Sequence, residues 1–183
     1  MSAATKVITG LVRFSYAYVF EPRASEENST PKYSVSLIIP KSDVKTINAI
    51  RAAVAAATEE GKHSKFGGKV PAGPTFKLPL RDGDVEREGD PAYANSYFLN
   101  CSSKNQPQLV DKNLKPIMDR NEFYSGCYGR ASLNFYPFNT NGNKGIAAGL
   151  NNLQKMKDGD PLGGFSRAED DFEVMAEMDE DMY

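Results

Sequence analysis

The chain has 183 residues, 40% of them hydrophobic, so it is long enough to bury one core and is expected to form one domain or one domain with a tail. It has two cysteines, one histidine and none of the close Cys or His spacings of a zinc site, so no metal or cofactor is expected. The N-terminal segment lacks an apolar signal core and no apolar run reaches membrane length, which predicts a cytoplasmic protein with no membrane partner.

The formal net charge of -2 is the sum of two unlike parts. Eight of the 24 acidic residues lie within 169–183, a segment with no basic residue, so residues 1–168 carry 22 basic and 16 acidic side chains. This distribution predicts a folded domain over 1–168 that binds a polyanion, and a disordered acidic tail over 169–183 that imitates one. A tail that serves only solubility is the alternative.

Two strands are predicted in the first forty residues. Residues 6–20 are β-branched and aromatic, too long for one flat strand, and a bend is expected near Gly10. Residues 33–39 alternate, with the odd positions facing inward and Ser34 and Ser36 facing outward. Within 6–20 the even positions are expected to share one face: Ile8, Val12, Phe14, Tyr16, Tyr18 and Phe20.

One main helix is predicted over about 42–60, because apolar residues recur there at helical spacing and the stretch is rich in alanine. Ser42 is the expected N-cap and Gly61 the expected C-cap. The following loop, 61–75, carries lysines and no acidic residue, as expected either of a solvated loop or of a phosphate-contacting arm.

The second half of the chain predicts further strands. Residues 97–102 form one, residues 108–118 a hairpin around Asp111, and residues 145–150 a short last strand. From residue 127 the most aromatic segment alternates, with apolar odd positions for the core. Its even positions form an outward face that is aromatic and basic, and its most informative members are Tyr128, Arg130 and Tyr136.

A mainly β chain with one main helix and five or more short strands suits an OB-fold-like small barrel. Single-stranded nucleic acid binds such barrels by stacking its bases on aromatic side chains while basic residues follow the phosphates. Tyr128, Arg130 and Tyr136 are therefore the predicted DNA-binding face, with rim aromatics beside a solvated charge as the alternative. Further phosphate contacts are predicted at Arg13, Lys62, Lys65, Lys69, Lys104, Lys112, Lys144, Lys155 and Lys157.

Three segments together resemble a bacteriophage single-stranded-DNA-binding protein family. They are PLRDGD at 79–84, the run SGCYGRASLNFYPFNTNGNKGIAAGLNNLQKMKDGDPLGG at 125–164, and the acidic tail. The resemblance covers nearly the whole chain. The chain is also similar in organisation to podovirus-type replication proteins. It implies an OB-fold, sequence-independent binding of single-stranded DNA in the host cell cytoplasm, and no enzymatic activity.

The resemblance also implies that the tail competes with DNA and recruits phage or host replication and recombination enzymes. Podovirus-type tails end in phenylalanine, whereas Tyr183 keeps the aromatic ring and adds a hydroxyl. Those proteins dimerise through their tail, so the resemblance implies a homodimer as well. The residues expected to contact partners are Asp170, Asp171, Phe172, Asp179, Glu180, Asp181 and Tyr183.

Two rival functions follow from the same residues. In the first, the barrel binds no DNA and the acidic tail makes the chain an interaction or virion-associated protein. In the second, Asp82, Asp84 and Asp90 hold a metal in a nuclease. The simpler explanation is that these aspartates accept hydrogen bonds from the backbone of their own turn or form ion pairs with neighbouring arginines.

Overall fold

A computed structural model describes residues 3–24, 27, 29–162 and 172–175. Short 3-10 turns lie at Ala3–Thr5, Gly73–Thr75 and Pro91–Tyr93. The remaining elements are, in chain order, β1 (Lys6–Ile8), β2 (Val12–Arg23), β3 (Lys32–Pro40), α1 (Val44–Ser64), β4 (Phe76–Lys77), β5 (Arg81–Asp82), α2 (Gly83–Glu86), β6 (Ser96–Ser103), β7 (Gln108–Val110), β8 (Tyr128–Thr140) and β9 (Asn143–Lys157). Among the described residues, none of the helices is both long and apolar enough to cross a membrane.

Five strands form a partly closed barrel in the order β2-β3-β6-β9-β8, and β8 returns to β2. β6 and β9 run parallel, while the other neighbours are antiparallel. The β2–β8 and β6–β9 joins are short, with two registered residue pairs each. The predicted mainly β, OB-fold-like barrel with one main helix is confirmed.

The barrel core is built from alternating side chains, as the sequence pattern indicates. Leu37 of β3 and Leu133 of β8 are fully buried, and α1 contributes Ile50 to the same cluster. Both cysteines, Cys101 and Cys127, are buried free thiols whose pKa values are raised by that burial. The period-2 pattern succeeds in β3 and β8 because one face of each strand is packed into the core.

The predicted start of α1 is displaced by two residues. The helix begins at Val44, and its N-cap is Asp43 rather than Ser42. The Asp43 carboxylate accepts a hydrogen bond of 3.2 Å from the Thr46 amide, which satisfies one of the free donors of the first turn. Val44 is 57% exposed, so the buried stripe of the helix begins after it.

Gly61 is a packing residue within α1 and does not end the helix, which continues to Ser64. A Cβ at Gly61 would lie 2.5 Å from Pro137 Cβ and 2.7 Å from the Phe66 ring. The glycine therefore allows α1 to approach β8 closely. Its sequence signal resembles that of a C-cap because both roles require the absence of a side chain.

The long predicted strand divides near Gly10, as expected, into β1 and β2. The prediction that its even positions share one face is wrong, however, because Tyr16 has a φ of 47° and the pairing of β2 with β3 shifts between Ser15 and Tyr18. This β-bulge reverses the alternation. Phe14 is buried before it and Val19 after it, whereas Tyr16 is half exposed. Ile8, on β1, is also exposed.

The last strand is much longer than the predicted 145–150. β8 and β9 are joined by a two-residue turn at Asn141 and Gly142, which have φ values of 52° and 85°. Asn-Gly is the sequence most typical of such a hairpin. The predicted hairpin at 108–118 also forms, with Val110 bridged to Pro116.

Truncation of Leu37 tests the barrel core. We expect Leu37→Ala to lower the free energy of unfolding by about 2–5 kcal/mol, because it leaves a cavity at a fully buried position. Leu114→Ala is the matched control. Leu114 is 70% exposed, so its truncation should lower the free energy of unfolding by less than about 0.5 kcal/mol. Urea denaturation of both variants measures the difference, and equal losses would contradict this packing.

Candidate nucleic-acid interface

A groove crosses the outer face of β3 and β6, and its chemistry changes along its length. Its floor is formed by three registered pairs, Ile38–Phe98, Ser36–Asn100 and Ser34–Ser102. A first cavity of about 440 Å³ lies beside this floor, between β2 and the segment that connects β5 to β6, and a second and a third, of about 340 and 510 Å³, follow along the floor itself. We call this surface the β3–β6 groove. It is apolar at the Ile38 end, carries hydroxyl and amide groups in the middle, and is cationic at the far end, where Lys32 and Lys104 lie.

The apolar end is covered by the segment that connects β5 to β6. Tyr93 packs on Phe98, with ring centroids 5.2 Å apart and an edge-to-face arrangement. Asp90 positions this residue by accepting a hydrogen bond from the Ala92 amide at the start of the 3-10 turn. Leu162, from the chain beyond β9, packs against the same cluster.

One side of the groove is lined by tyrosines of β2 that the bulge turns outward. Tyr16 and Tyr18 both border the first two cavities, together with Arg87. The Arg87 guanidinium lies 4.4 Å from the Tyr93 ring centroid and donates a 2.9 Å hydrogen bond to the Tyr16 hydroxyl. This hydrogen bond raises the pKa of Arg87, so its positive charge is held between aromatic rings.

The far end of the groove is the cationic end. Arg23, Lys32 and Lys104 line the third cavity, and no carboxylate is among its described lining residues. Arg23 lies 4.7 Å from the Tyr18 ring centroid and donates a hydrogen bond to the Tyr18 hydroxyl. Beside β2, aromatic and cationic groups therefore alternate: Arg87, from the end of α2, lies over Tyr16, and Arg23 lies over Tyr18.

A buried hydroxyl without a partner lies in the middle of the floor. The Ser36 Oγ has no hydrogen-bond partner among the described residues, and the side chain is only 3% exposed. Most buried polar atoms in folded proteins are paired, and each unpaired one calls for a structural or functional explanation. The outward serines of β3 were visible in the sequence, but the groove above them was not.

The sequence-predicted face lies on β8, outside the groove. Tyr128, Arg130 and Tyr136 do point away from the core, since Ala131, Leu133 and their odd-numbered neighbours are buried. Tyr128 and Tyr136 are eight residues apart, which is about 26 Å along a strand. The three side chains therefore do not form one compact site.

Tyr128 and Arg13 are engaged by their own chain. Arg13 and Lys157 lie over the Tyr128 ring, 5.2 and 4.9 Å from its centroid. Arg13 also donates hydrogen bonds to the carbonyl oxygens of Gly126, at 3.1 Å, and Asp160, at 2.6 Å. Arg130 donates in a similar way to the Thr9 carbonyl oxygen at 2.9 Å.

The other predicted phosphate contacts are dispersed, and of all twelve predicted DNA-binding residues only Lys104 lines the groove. Asn139 donates to the Lys65 carbonyl oxygen at 3.1 Å, which brings the loop after α1 to the β8–β9 hairpin. Lys112 lies in the turn after β7. The DNA contacts of these residues stay predictions. The lysines at the α1 and hairpin end are Lys62, Lys65, Lys69 and Lys144.

The chain beyond β9 is anchored to the barrel as far as Leu162. Asp158 accepts hydrogen bonds from Lys155 at 2.6 Å and from the Tyr124 hydroxyl at 3.1 Å. These bonds hold the pKa of Asp158 below its usual range. Partial burial lowers the pKa of Lys155, but the hydrogen bond from Lys155 to Asp158 raises it, and the pKa of Lys155 is raised overall. The Leu162 amide then donates to the Ser125 carbonyl oxygen at 2.8 Å, at the apolar end of the groove.

The acidic residues proposed for the nuclease rival have structural partners. Lys41 lies 2.9 Å from Asp82 and 2.7 Å from Asp84, and Asp84 also accepts from the Asn95 amide. Asp82 caps α2 through the Asp84 amide. Asp90 caps the next turn. Within the described part of the chain, no group of three or more metal-ligating side chains is found.

Most of the acidic tail lies outside the described residues. This applies to six of the seven residues expected to contact partners: Asp170, Asp171, Asp179, Glu180, Asp181 and Tyr183. Phe172 is described and is 74% exposed, like Val174 and Met175 after it.

Comparison with known proteins gives matches that span almost the whole chain. The family model of the ssDNA-binding protein of Enterobacter phage Enc34 matches residues 5–183. The putative protein p50 of Acyrthosiphon pisum secondary endosymbiont phage 1 is 31% identical over 96% of this chain and 97% of its own length.

Solved structures show the same fold. The single-stranded DNA-binding protein of bacteriophage Enc34, in complex with ssDNA, has a TM-score of 0.77 and 23% identity, over 88% of this chain and 91% of its own. The single-stranded DNA-binding protein gp2.5 of bacteriophage T7 has a TM-score of 0.55 and 19% identity, over 91% of each chain. The matched family model covers 179 positions, from the start of the barrel to the last residue. This chain belongs to the family of the ssDNA-binding protein of Enterobacter phage Enc34.

Proposed function

We propose that this chain binds single-stranded DNA, with little dependence on sequence, in the β3–β6 groove. The observation that carries the proposal is the arginine that covers each outward tyrosine of β2: Arg87, from the end of α2, lies over Tyr16, and Arg23 lies over Tyr18. Bases stack on aromatic faces irrespective of sequence, and cations between the rings neutralise the phosphates. The fold shared with the Enc34 protein, whose structure contains ssDNA, supports the same ligand.

The chemistry along the groove assigns roles to its parts. Tyr16 and Tyr18 stack bases, while Lys32 and Lys104 contact phosphates at the cationic end. The face predicted from the sequence, around Tyr128 and Tyr136, is a second candidate for contact with a longer strand. Its separation from the groove makes the two surfaces distinguishable by mutation.

We also propose the finer roles implied by the resemblance. The chain protects displaced strands during phage DNA replication and recombination in the host cytoplasm, and it acts by binding rather than by catalysis. The tail at 169–183 competes for the DNA site and recruits replication or recombination enzymes, with Tyr183 as its terminal aromatic residue. A homodimer formed through the tail is part of this proposal.

Substitution of one tyrosine on each surface shows which of them binds DNA. We expect Tyr18→Ala to weaken binding of oligo-dT by about 5- to 150-fold, the effect of losing one stacked base. Tyr136→Ala is the matched comparison and should change affinity by less than about twofold if the groove is the main site. Fluorescence anisotropy with labelled oligo-dT measures both variants. A loss confined to Tyr136→Ala would instead support the β8 face, and no binding by the wild type at low salt would support the interaction-protein rival.

The groove lysines should carry the salt dependence. Each phosphate contact on a single strand contributes about -0.7 to the slope of log affinity against log salt concentration. We expect Lys32→Gln and Lys104→Gln each to make the slope shallower by about 0.7. Lys112→Gln, in the turn after β7, is the comparison with the same charge change. An equal effect at Lys112 would show that phosphates also follow the sequence-predicted set.

Removal of the tail tests competition. We expect deletion of residues 169–183 to raise the affinity for oligo-dT, because the tail carries eight acidic residues that compete with the phosphates. The same titrations on the full-length and shortened proteins, at two salt concentrations, measure the gain. An unchanged or lower affinity after the deletion would contradict the competition.

A further inference from the structure

The wall of the barrel opens along one edge of β9, between the end of β6 and the start of β7. β6 is registered with β9 as far as Gly149, and β7 joins the same edge from Asn152 onward. In the part of the chain that the structure describes, the two residues between these joins have no registered partner on that edge. The second of them, Asn151, is also skipped in the register with β8, which shifts between Ser132 and Leu133. This β-bulge lies next to the turn that follows β6.

A cavity of about 360 Å³ lies at this opening, and we call it the Lys6 cavity. Lys6, on β1, is exposed and is the one charged side chain among the described residues that line it. Lys6 forms no ion pair within the described ranges of the chain. Apart from Leu150, the other lining residues carry hydroxyl or amide groups: Ser103, Asn105, Gln106, Ser132, Asn151 and Asn152.

Three polar side chains of the Lys6 cavity accept hydrogen bonds from their own chain and keep a donor for a ligand. Asn152 accepts through Oδ1 from the Gln108 amide at 3.3 Å, which leaves its NH2 group to donate. The Ser132 hydroxyl accepts from Asn151 at 3.4 Å, and the Ser103 hydroxyl accepts from the backbone of the following turn at 3.1 Å. Each serine therefore keeps its hydroxyl proton. Donors around one ammonium group suit an anion such as a phosphate.

The Lys6 cavity adjoins the cationic end of the β3–β6 groove. Ser102 and Lys104 line the third cavity of the groove. Ser103 and Asn105 line the Lys6 cavity. Successive residues of an extended chain point to opposite sides, so the two cavities lie on either side of the end of β6. The Lys6 cavity also reaches Ser132, which belongs to the outward face of β8. It therefore lies between the groove and that face.

We propose that the Lys6 cavity binds the sugar–phosphate backbone of single-stranded DNA where the strand leaves the cationic end of the β3–β6 groove. Lys6 pairs with one phosphate, and the Ser132 hydroxyl and the Asn152 NH2 group donate to the same backbone. No aromatic side chain is among the described residues that line the cavity, so it adds phosphate contacts without stacking a base. This inference rests on the groove being the DNA site of the proposed function.

The cavity makes the DNA contact longer than the groove alone. A short oligonucleotide ends at Lys32 and Lys104, whereas a longer one continues past the end of β6 to Lys6 and toward the outward face of β8. The contribution of Lys6 to affinity therefore depends on the length of the strand. A general effect of positive charge on DNA affinity has no such threshold in length.

Oligonucleotide length separates the Lys6 cavity from the groove, in a series of oligo-dT from about 4 to about 16 nucleotides. We expect Lys6→Gln to leave the affinity for the shortest oligo-dT that binds unchanged, and to weaken binding of the longest by about two- to fivefold. With the longest, the slope of log affinity against log salt concentration should become shallower by about 0.7, the contribution of one phosphate.

Lys45→Gln is the control with the same charge change, because Lys45 is exposed on the first turn of α1 and lines neither the groove nor the Lys6 cavity. It should not alter affinity by more than about twofold at any length. Equal effects of the two variants, or an effect of Lys6→Gln that is the same at every length, would overturn the inference.

Acetylation of lysines in the wild-type protein, mapped by mass spectrometry, follows the same contact without mutation. We expect the longest oligo-dT to protect Lys6, Lys32 and Lys104, the shortest to protect only Lys32 and Lys104, and neither to protect Lys45. If Lys6 reacts fully under the longest oligo-dT while Lys32 and Lys104 are protected, the inference is overturned and the proposed function stands. Protection of Lys6 by the shortest would also overturn it. If no oligo-dT protects Lys32 or Lys104, the proposed function fails and the inference fails with it.

Discussion

The left-handed backbone at Tyr16 is the constraint on which the candidate site depends. Such a conformation costs about 1–3 kcal/mol for a residue with a side chain and persists only where the surroundings impose it. Here the Ala17 amide donates to the Ser125 Oγ at 3.0 Å, and Arg87 holds the Tyr16 hydroxyl. The bulge keeps Phe14 and Val19 in the core while it turns Tyr16 and Tyr18 outward. A regular strand would have directed them into the barrel.

The chemical character of the groove changes along its length because each stretch of its floor has a different neighbour. Ile38 and Phe98 are apolar because Tyr93 and Leu162 cover them. Beyond this cover the floor changes to serine and asparagine, and then to lysine where it meets solvent. A polyanion with bases or apolar side chains finds complementary groups along the whole length. Single-stranded DNA, the ligand proposed for the groove, is a polymer of this kind.

The connection at 158–162, which follows β9, is bound to the barrel by hydrogen bonds. Its bonds come from β2, from the segment before β8 and from the end of β9, so the exit point of the tail is set by the barrel itself. Arg13 and Tyr128, which the sequence suggests as DNA contacts, are part of this anchorage. Arg13 holds the Asp160 carbonyl oxygen, and its guanidinium lies over the Tyr128 ring.

The sequence alone determined the alternation of β3 and β8, the position of α1 to within a few residues, the OB-fold-like class and the separation of a basic body from an acidic tail. These features follow from local periodicity and charge, which do not depend on distant partners. The location and the lining residues of the groove were decided by tertiary structure. The bulge at Tyr16 is defined by its register against β3, so the predicted alternation of β2 holds before Tyr16 and fails after it. Arg87 and Leu162 reach the groove from distant segments, which is why only Lys104 of the predicted contacts lies there.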